Sequence, residues 1–212
     1  MSALEHLRAV GRGETPADDG LLENVRCSWG RGEALGHESI LAAFCARPFG
    51  DSDGLVVETA QGVALIGEGD ALIADVYDGH IGRMWRVGHG VAFPHEPAID
   101  IAFDPDMRQQ RGDVFFRAED HPELSSEAAE PILAAAREHL EQLRRAGGLR
   151  VRAFVLRAFG SGESSAALLA VYSMSNEVSR GVGFSHAVVG SGRGVSRVVS
   201  EQSRPRPWNP RL

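Results

Sequence analysis

The chain predicts an α+β protein built from two successive units, each a helix laid across a curved antiparallel sheet. Three observations point there. Two apolar-alternating runs in Asp70 to Gly88 meet at Asp78-Gly79, a dipeptide suited to a two-residue hairpin turn, whose central residues need positive φ. A helix-patterned segment, Gly36 to Ala46, precedes that hairpin and a shorter strand pair from Leu55 to Glu68. The same order, one helix and then four strand-like runs, returns after residue 125. At 212 residues with 43% hydrophobic content, the chain can bury one larger core or two small ones, and the repeated order favours two. We place the units at 1–94 and 95–203, followed by a Pro/Arg tail, 204–212.

Ser2 to Val10 carries Leu4, Leu7 and Val10 at helical spacing, and Gly11 and Gly13 end it. Leu21 to Trp29 reads as a strand. In the helix from Gly36, Ile40, Leu41 and Phe44 form one apolar stripe. His37 shares that stripe and is expected to face the sheet. In the next hairpin, Leu72, Ala74 and Val76 belong against a core, while Ile73, Asp75 and Tyr77 mix polar and apolar character. Alternation sets Ile81, Arg83, Trp85 and Val87 on one face of the returning strand, with Trp85 mostly buried. One face is core, the other a pocket wall or an interface.

Residues 88–110 hold one strand candidate, Ala98 to Phe103, and Asp113 to Ala118 is a second short one. A longer helix starts near Ser125-Ser126, tolerates Pro131 in an early turn, and runs along Ile132, Ala136, Leu140 and Leu143 to Gly147-Gly148. Four strands follow, about Leu149–Phe159, Ser165–Ser175, Val182–Val189 and Val195–Glu201, as an antiparallel meander. Gly190 to Gly194 resembles a phosphate loop only as a string. A strand follows it where a phosphate loop would open a helix, so it reads as a hairpin turn.

Charge is divided unequally: residues 1–106 carry 18 acids and 7 Arg, whereas residues 107–212 carry 11 acids and 15 Arg. Opposite signs favour docking of the halves, as an intramolecular pseudo-dimer, or of neighbouring subunits as a homodimer. All 22 basic residues are Arg, spread without the aromatic interleaving of a base-stacking surface, which argues against nucleic acid. No apolar run suffices to span a bilayer, nothing near Met1 resembles a leader, and two cysteines make no disulfide framework. The expected setting is cytoplasmic, with no membrane partner.

The helix start Gly36-His37-Glu38-Ser39-Ile40, followed by the hairpin Asp78-Gly79-His80-Ile81-Gly82-Arg83-Met84-Trp85, resembles the nuclear transport factor 2-like superfamily. The nearest relatives are its SnoaL-like and ketosteroid-isomerase-like members. The likeness covers residues 1 to about 90, and the second half follows by element order only. It implies tandem cystatin-like domains and a small, mostly apolar ligand in the cone between helix and sheet. In isomerases of this type a carboxylate base ends the first strand, and a Tyr with a protonated carboxylic acid donates to the oxyanion. Here Asn24 stands at the base position, and Tyr77 and Tyr172 lie in strands. An amide cannot accept the proton, which argues against the ketosteroid reaction.

Side chains that could line the first cone are Glu23, Arg26, His37, Asp75, Tyr77, Arg83 and Trp85. His37 beside Asp75 or Glu23 could serve as an acid–base pair, since imidazole titrates near neutrality, although a histidine there more often closes the mouth of a core. In the second half His186 is the best candidate, with Tyr172 and Arg157 as neighbours. His89, His95, Glu96 and Asp100 match no compact metal spacing, and Glu119-Asp120-His121-Pro122-Glu123 reads as a solvated approach to the long helix. No metal and no cofactor is expected. The functional readings are a binder of a small apolar molecule, an acid–base isomerase, dehydratase or cyclase, and an assembly module whose cones are filled.

Overall fold

A computed structural model describes residues 2–16, 20–29, 32–50, 54–88, 113–147, 150–174 and 182–201. The fold is α+β, with three α-helices and two mixed sheets among those residues. The first half contains α1 (Ala3–Gly11), β1 (Leu21–Trp29), β2 (Gly32–Leu35), α2 (Gly36–Ala46), β3 (Leu55–Glu58), β4 (Gly62–Ile66), β5 (Asp70–Tyr77) and β6 (His80–Gly88). The second contains β7 (Val114–Phe115), α3 (Ser126–Gly147), β8 (Arg150–Ser161), β9 (Ser164–Met174), β10 (Val182–Gly192) and β11 (Val195–Ser200). Strand order is β2-β1-β6-β5-β4-β3 in one sheet and β11-β10-β9-β8-β7 in the other.

Local chemistry explains several boundaries. Ser2 and Glu5 close a capping box at the start of α1, and the Ser125 hydroxyl accepts the Ala128 N–H at the start of α3. Asp78 and Gly79 have φ of 49° and 82°, and Arg193 and Gly194 of 50° and 76°, so both hairpins turn through two left-handed residues. The Gly190–Gly194 string is thus a hairpin turn. The four-strand meander of the second half is antiparallel throughout. Neither sheet is wholly antiparallel, however: β1 runs parallel to β6, and β7 parallel to β8. The Ala98–Phe103 strand, the His89 to Asp100 run and the 204–212 tail lie outside the described residues.

Four layers result. Leu7 and Val10 of α1 and Ile40 and Phe44 of α2 pack with Val25, Leu72, Ala74, Val76 and Met84 on one face of the first sheet. Ile132, Ala136 and Leu140 of α3 pack with Val151, Ala153, Leu169 and Val189 on one face of the second. The remaining two faces meet: Ile66, Ile73, Trp85 and Val87 share a core with Phe159, Leu168, Val188 and Val199. This explains why Val63 to Ile66 and Ala71 to Val76 are buried without a break, since a strand covered on both faces loses its polar alternation. Trp85 is buried, as its place on β6 implies.

The face expected to hold Ile81 with Arg83, Trp85 and Val87 is corrected by a bulge. Val76 pairs with Ile81 but Asp75 with Arg83, so Gly82 is an extra residue and the alternation changes phase there. Ile81 joins the helix-side core while Trp85 and Val87 face the second sheet. A side chain at 82 would strike the Tyr77 ring, 2.7 Å from a Cβ there, which is why glycine occupies the bulge.

Arg86 ties the end of α2 to the sheet. Its guanidinium, 5% exposed, is ion-paired with Asp70, donates to the Arg47 and Pro48 carbonyls, and lies 5.2 Å from the Phe44 ring centroid. Close sheet contact depends on Gly62, where a Cβ would fall 2.4 Å from the Phe159 ring. Gly62→Ala is therefore expected to cost about 1–3 kcal/mol through overpacking, with Phe159→Leu in the same chain recovering part of it. Urea denaturation of both variants measures this, and an unchanged midpoint for Gly62→Ala would contradict the close sheet contact.

Candidate functional site

The seven first-half candidates divide between the two faces of the first sheet. On the helix side, at the open end of the layer, the starts of β1 and α2 and the β5–β6 turn surround a groove of about 920 Å³. Leu21, Leu22 and Leu35 supply its apolar wall, and Glu23, His37, Glu38, Ser39 and His80 its polar one. His37 is half-buried and meets the Leu22 carbonyl through Nε2 at 3.0 Å. A carbonyl only accepts, so Nε2 carries the proton and the ring pins the start of α2 to β1. His80 meets the Asp78 carbonyl through Nδ1 at 2.9 Å in the same way. Arg26, further along β1, is exposed and 3.9 Å from Glu33.

Asp75 belongs to the other face. Its Oδ1 lies 2.6 Å from Arg157 Nε on β8, joining the two sheets, so the structure does not bring Asp75 and His37 together. Glu23 and His37 do share the groove. Around Asp75 stand Arg83, its register partner on β6, and Tyr77, two residues along β5. Arg83 in turn stacks over Trp85 with its Cζ 4.7 Å from the ring centroid. Burial raises the Asp75 carboxyl above the ordinary range, opposed chiefly by Arg157 and also by Arg83.

Arg157 reaches this place through a second bulge. Val155 pairs with Leu169 and Arg157 with Leu168, so Leu156 is the extra residue, exposed, and Arg157 turns onto the inter-sheet face. It also donates to the Gln61 carbonyl at 3.4 Å. The Thr59 hydroxyl bonds Glu123 nearby at 3.1 Å. The bulge brings Arg157 onto the same sheet face as His186, but three residues along β8 from Phe154, which lies in register with His186, and its guanidinium meets Asp75 and Gln61. His186 is instead paired with Glu201, its Nδ1 3.5 Å from a carboxylate oxygen that also accepts the His186 backbone N–H at 3.0 Å. The Tyr172 backbone pairs with Phe184 on β10 and Arg152 on β8.

His121 corrects the solvated reading of the approach to α3. Glu119, Asp120 and Pro122 are exposed, but the imidazole is 3% exposed and stacks on Phe116 at 5.4 Å. Pro122 and the acids around it masked this in the sequence; the one usable signal was aromatic Phe116 five residues earlier. His139 on α3 is buried too. Desolvation lowers both histidines below 6.5. Beneath α3 a slit of about 10 Å³ between Phe116, Ile132, Leu133 and Leu169 is too small to admit a ligand. Among the described residues no three His, Cys, Asp or Glu gather in metal-binding geometry, and no helix is long and apolar enough to cross a membrane. Comparison of the chain with protein-family models, curated proteins and solved structures found no match.

Two predictions follow from these burials. Arg157→Met strands the Asp75 carboxylate and is expected to cost about 2–4 kcal/mol, whereas the double variant Asp75→Leu/Arg157→Met recovers most of it, because removing both charges of a buried pair is close to neutral. The single-variant loss should shrink as pH falls, because a carboxyl of raised pKa takes up its proton sooner; strictly additive losses in the thermodynamic cycle would contradict the pairing. The histidines act with opposite sign. Their native pKa values lie below the unfolded one, so they cost nothing above about pH 6.5 and destabilise the fold as pH falls through that value. Urea midpoints should drop from pH 7.5 to 5.5, and drop less in His121→Phe/His139→Leu; an equal drop in both chains would exclude these histidines as its source.

Proposed function

We propose that this chain is a tandem of two cystatin-like units of the nuclear transport factor 2-like kind, packed back to back, whose first unit binds a small, mostly apolar molecule. The tandem reading is supported by the repeated helix and four strands and by the placing of α2 and α3 on outward faces. The observation that carries the binding reading is the groove at the mouth of the first helix–sheet layer, where three leucines face a polar rim. Concave sites of about 300–1,000 Å³ with apolar walls and a few polar groups are the usual form of small-molecule sites. The ligand would sit at the mouth rather than deep in the cone, because Leu7, Val10, Ile40 and Phe44 fill the space under the helices.

A second reading, an assembly module, is favoured by the filling of the interior by all three apolar clusters. In it the contact between the sheets is an intramolecular pseudo-dimer, consistent with the opposite charge of the halves and with the Asp75–Arg157 pair between them. An acid–base reaction would fall to Glu23 with His37.

Octan-1-ol separates the first two readings. In a titration followed by the ring proton signals of His37 and His80, a binder shows saturable shifts at those two residues, and Leu35→Arg, at an exposed position, weakens them more than about tenfold by charging the apolar wall. An assembly module shows no saturable shift.

A further inference from the structure

The chemistry of the groove's rim selects a class of ligand. Among the described residues its charged side chains are Glu23 and Glu38, and no arginine lines it. Arg26, the basic residue further along β1, is already beside Glu33. The imidazoles of His37 and His80 each direct one N–H to a backbone carbonyl, so in the neutral ring the second nitrogen is an acceptor. Carboxylates accept and do not donate. The rim therefore offers mostly acceptors, together with negative charge in a half that carries 18 acids against 7 arginines.

One feature acts the other way. Leu35 caps α2 without a side-chain hydrogen bond, and the free N–H groups of a helix start attract anions. Glu38, in the first turn of that helix, already supplies the anion, and Glu23 remains in excess on β1.

Building on the binding reading above, we propose that the groove takes an amphipathic cation: a primary alkylammonium whose chain lies on Leu21, Leu22 and Leu35 and whose head meets Glu23 and Glu38. An ammonium has three donors, no acceptor and a positive charge, which matches this rim. A carboxylate or phosphate head would face like charge, and a neutral alcohol would bring a single donor and no charge.

Three probes of equal chain length test the class: octylammonium chloride, octan-1-ol and sodium octanoate, each titrated at pH 7.5 with the His37 and His80 ring signals as readout and His139 on α3 as the distant control. Octylammonium is expected to bind about five- to tenfold tighter than octan-1-ol, as a solvent-exposed pair of opposite charges allows, and octanoate weakest. The advantage should shrink between 20 and 300 mM salt. Glu23→Gln/Glu38→Gln, at exposed positions, should make octylammonium and octan-1-ol equal. If octan-1-ol binds as tightly as octylammonium, or the preference survives in the double variant, the cation inference is overturned and the groove remains a binding site. If none of the three gives saturable shifts, the binding reading fails and this inference with it.

Discussion

Face-to-face packing of the two sheets is the constraint on which the remaining features depend. Ile66, Ile73, Trp85 and Val87 are buried only because Phe159, Leu168, Val188 and Val199 lie opposite, and each half alone would expose a sheet face of that size to water. Gly62 and Gly190 permit the approach, since a Cβ at either would fall within 2.4 Å of a side chain. With the inner faces committed to each other, the helices take the outer ones, and the four-layer order follows.

Polar groups inside such a contact need partners. Asp75 has Arg157, turned toward it by the bulge at Leu156, and Arg83, set beside the same carboxylate by the bulge at Gly82. Neutral substitutes of similar shape would pack there at little cost, so the pair contributes more to the relative placement of the halves than to stability. It also removes Asp75 from any chemistry with His37, since the sheet stands between them. The groove at the rim of the first layer lies apart from that pair, and Glu23, Leu35, Glu38 and Ser39 there are exposed.

Much of the fold was legible in the residues. The Asp78-Gly79 turn, the stripe through Ile40 and Phe44, the stripe through Ile132, Ala136 and Leu140, and the four-strand meander each depend on neighbours a few positions away, and local periodicity reports them. The bulges were not legible, because one inserted residue reverses the phase of a strand without altering its composition. For that reason simple alternation puts Ile81 on the face of Trp85 and Val87, whereas it packs under the helices. His121 was hidden by the exposed acids and proline around it, its burial coming from Phe116 and the body of the second sheet. The candidate site was legible as residue types, but not as a division between two faces.

The sequence by itself determined the order of the helices and of the long strands, the two-residue turns and the unequal charge of the halves, because each is written in residue identity at short range, whereas the short β2 carries no such pattern. Tertiary structure alone decided that β1 and β7 run parallel to their neighbours, that the mixed face of β5 is an interface between sheets, and that Asp75 and His37 stand apart. Those outcomes depend on contacts between residues far apart in the chain, such as Asp75 with Arg157, and no local pattern records which distant face a side chain will meet.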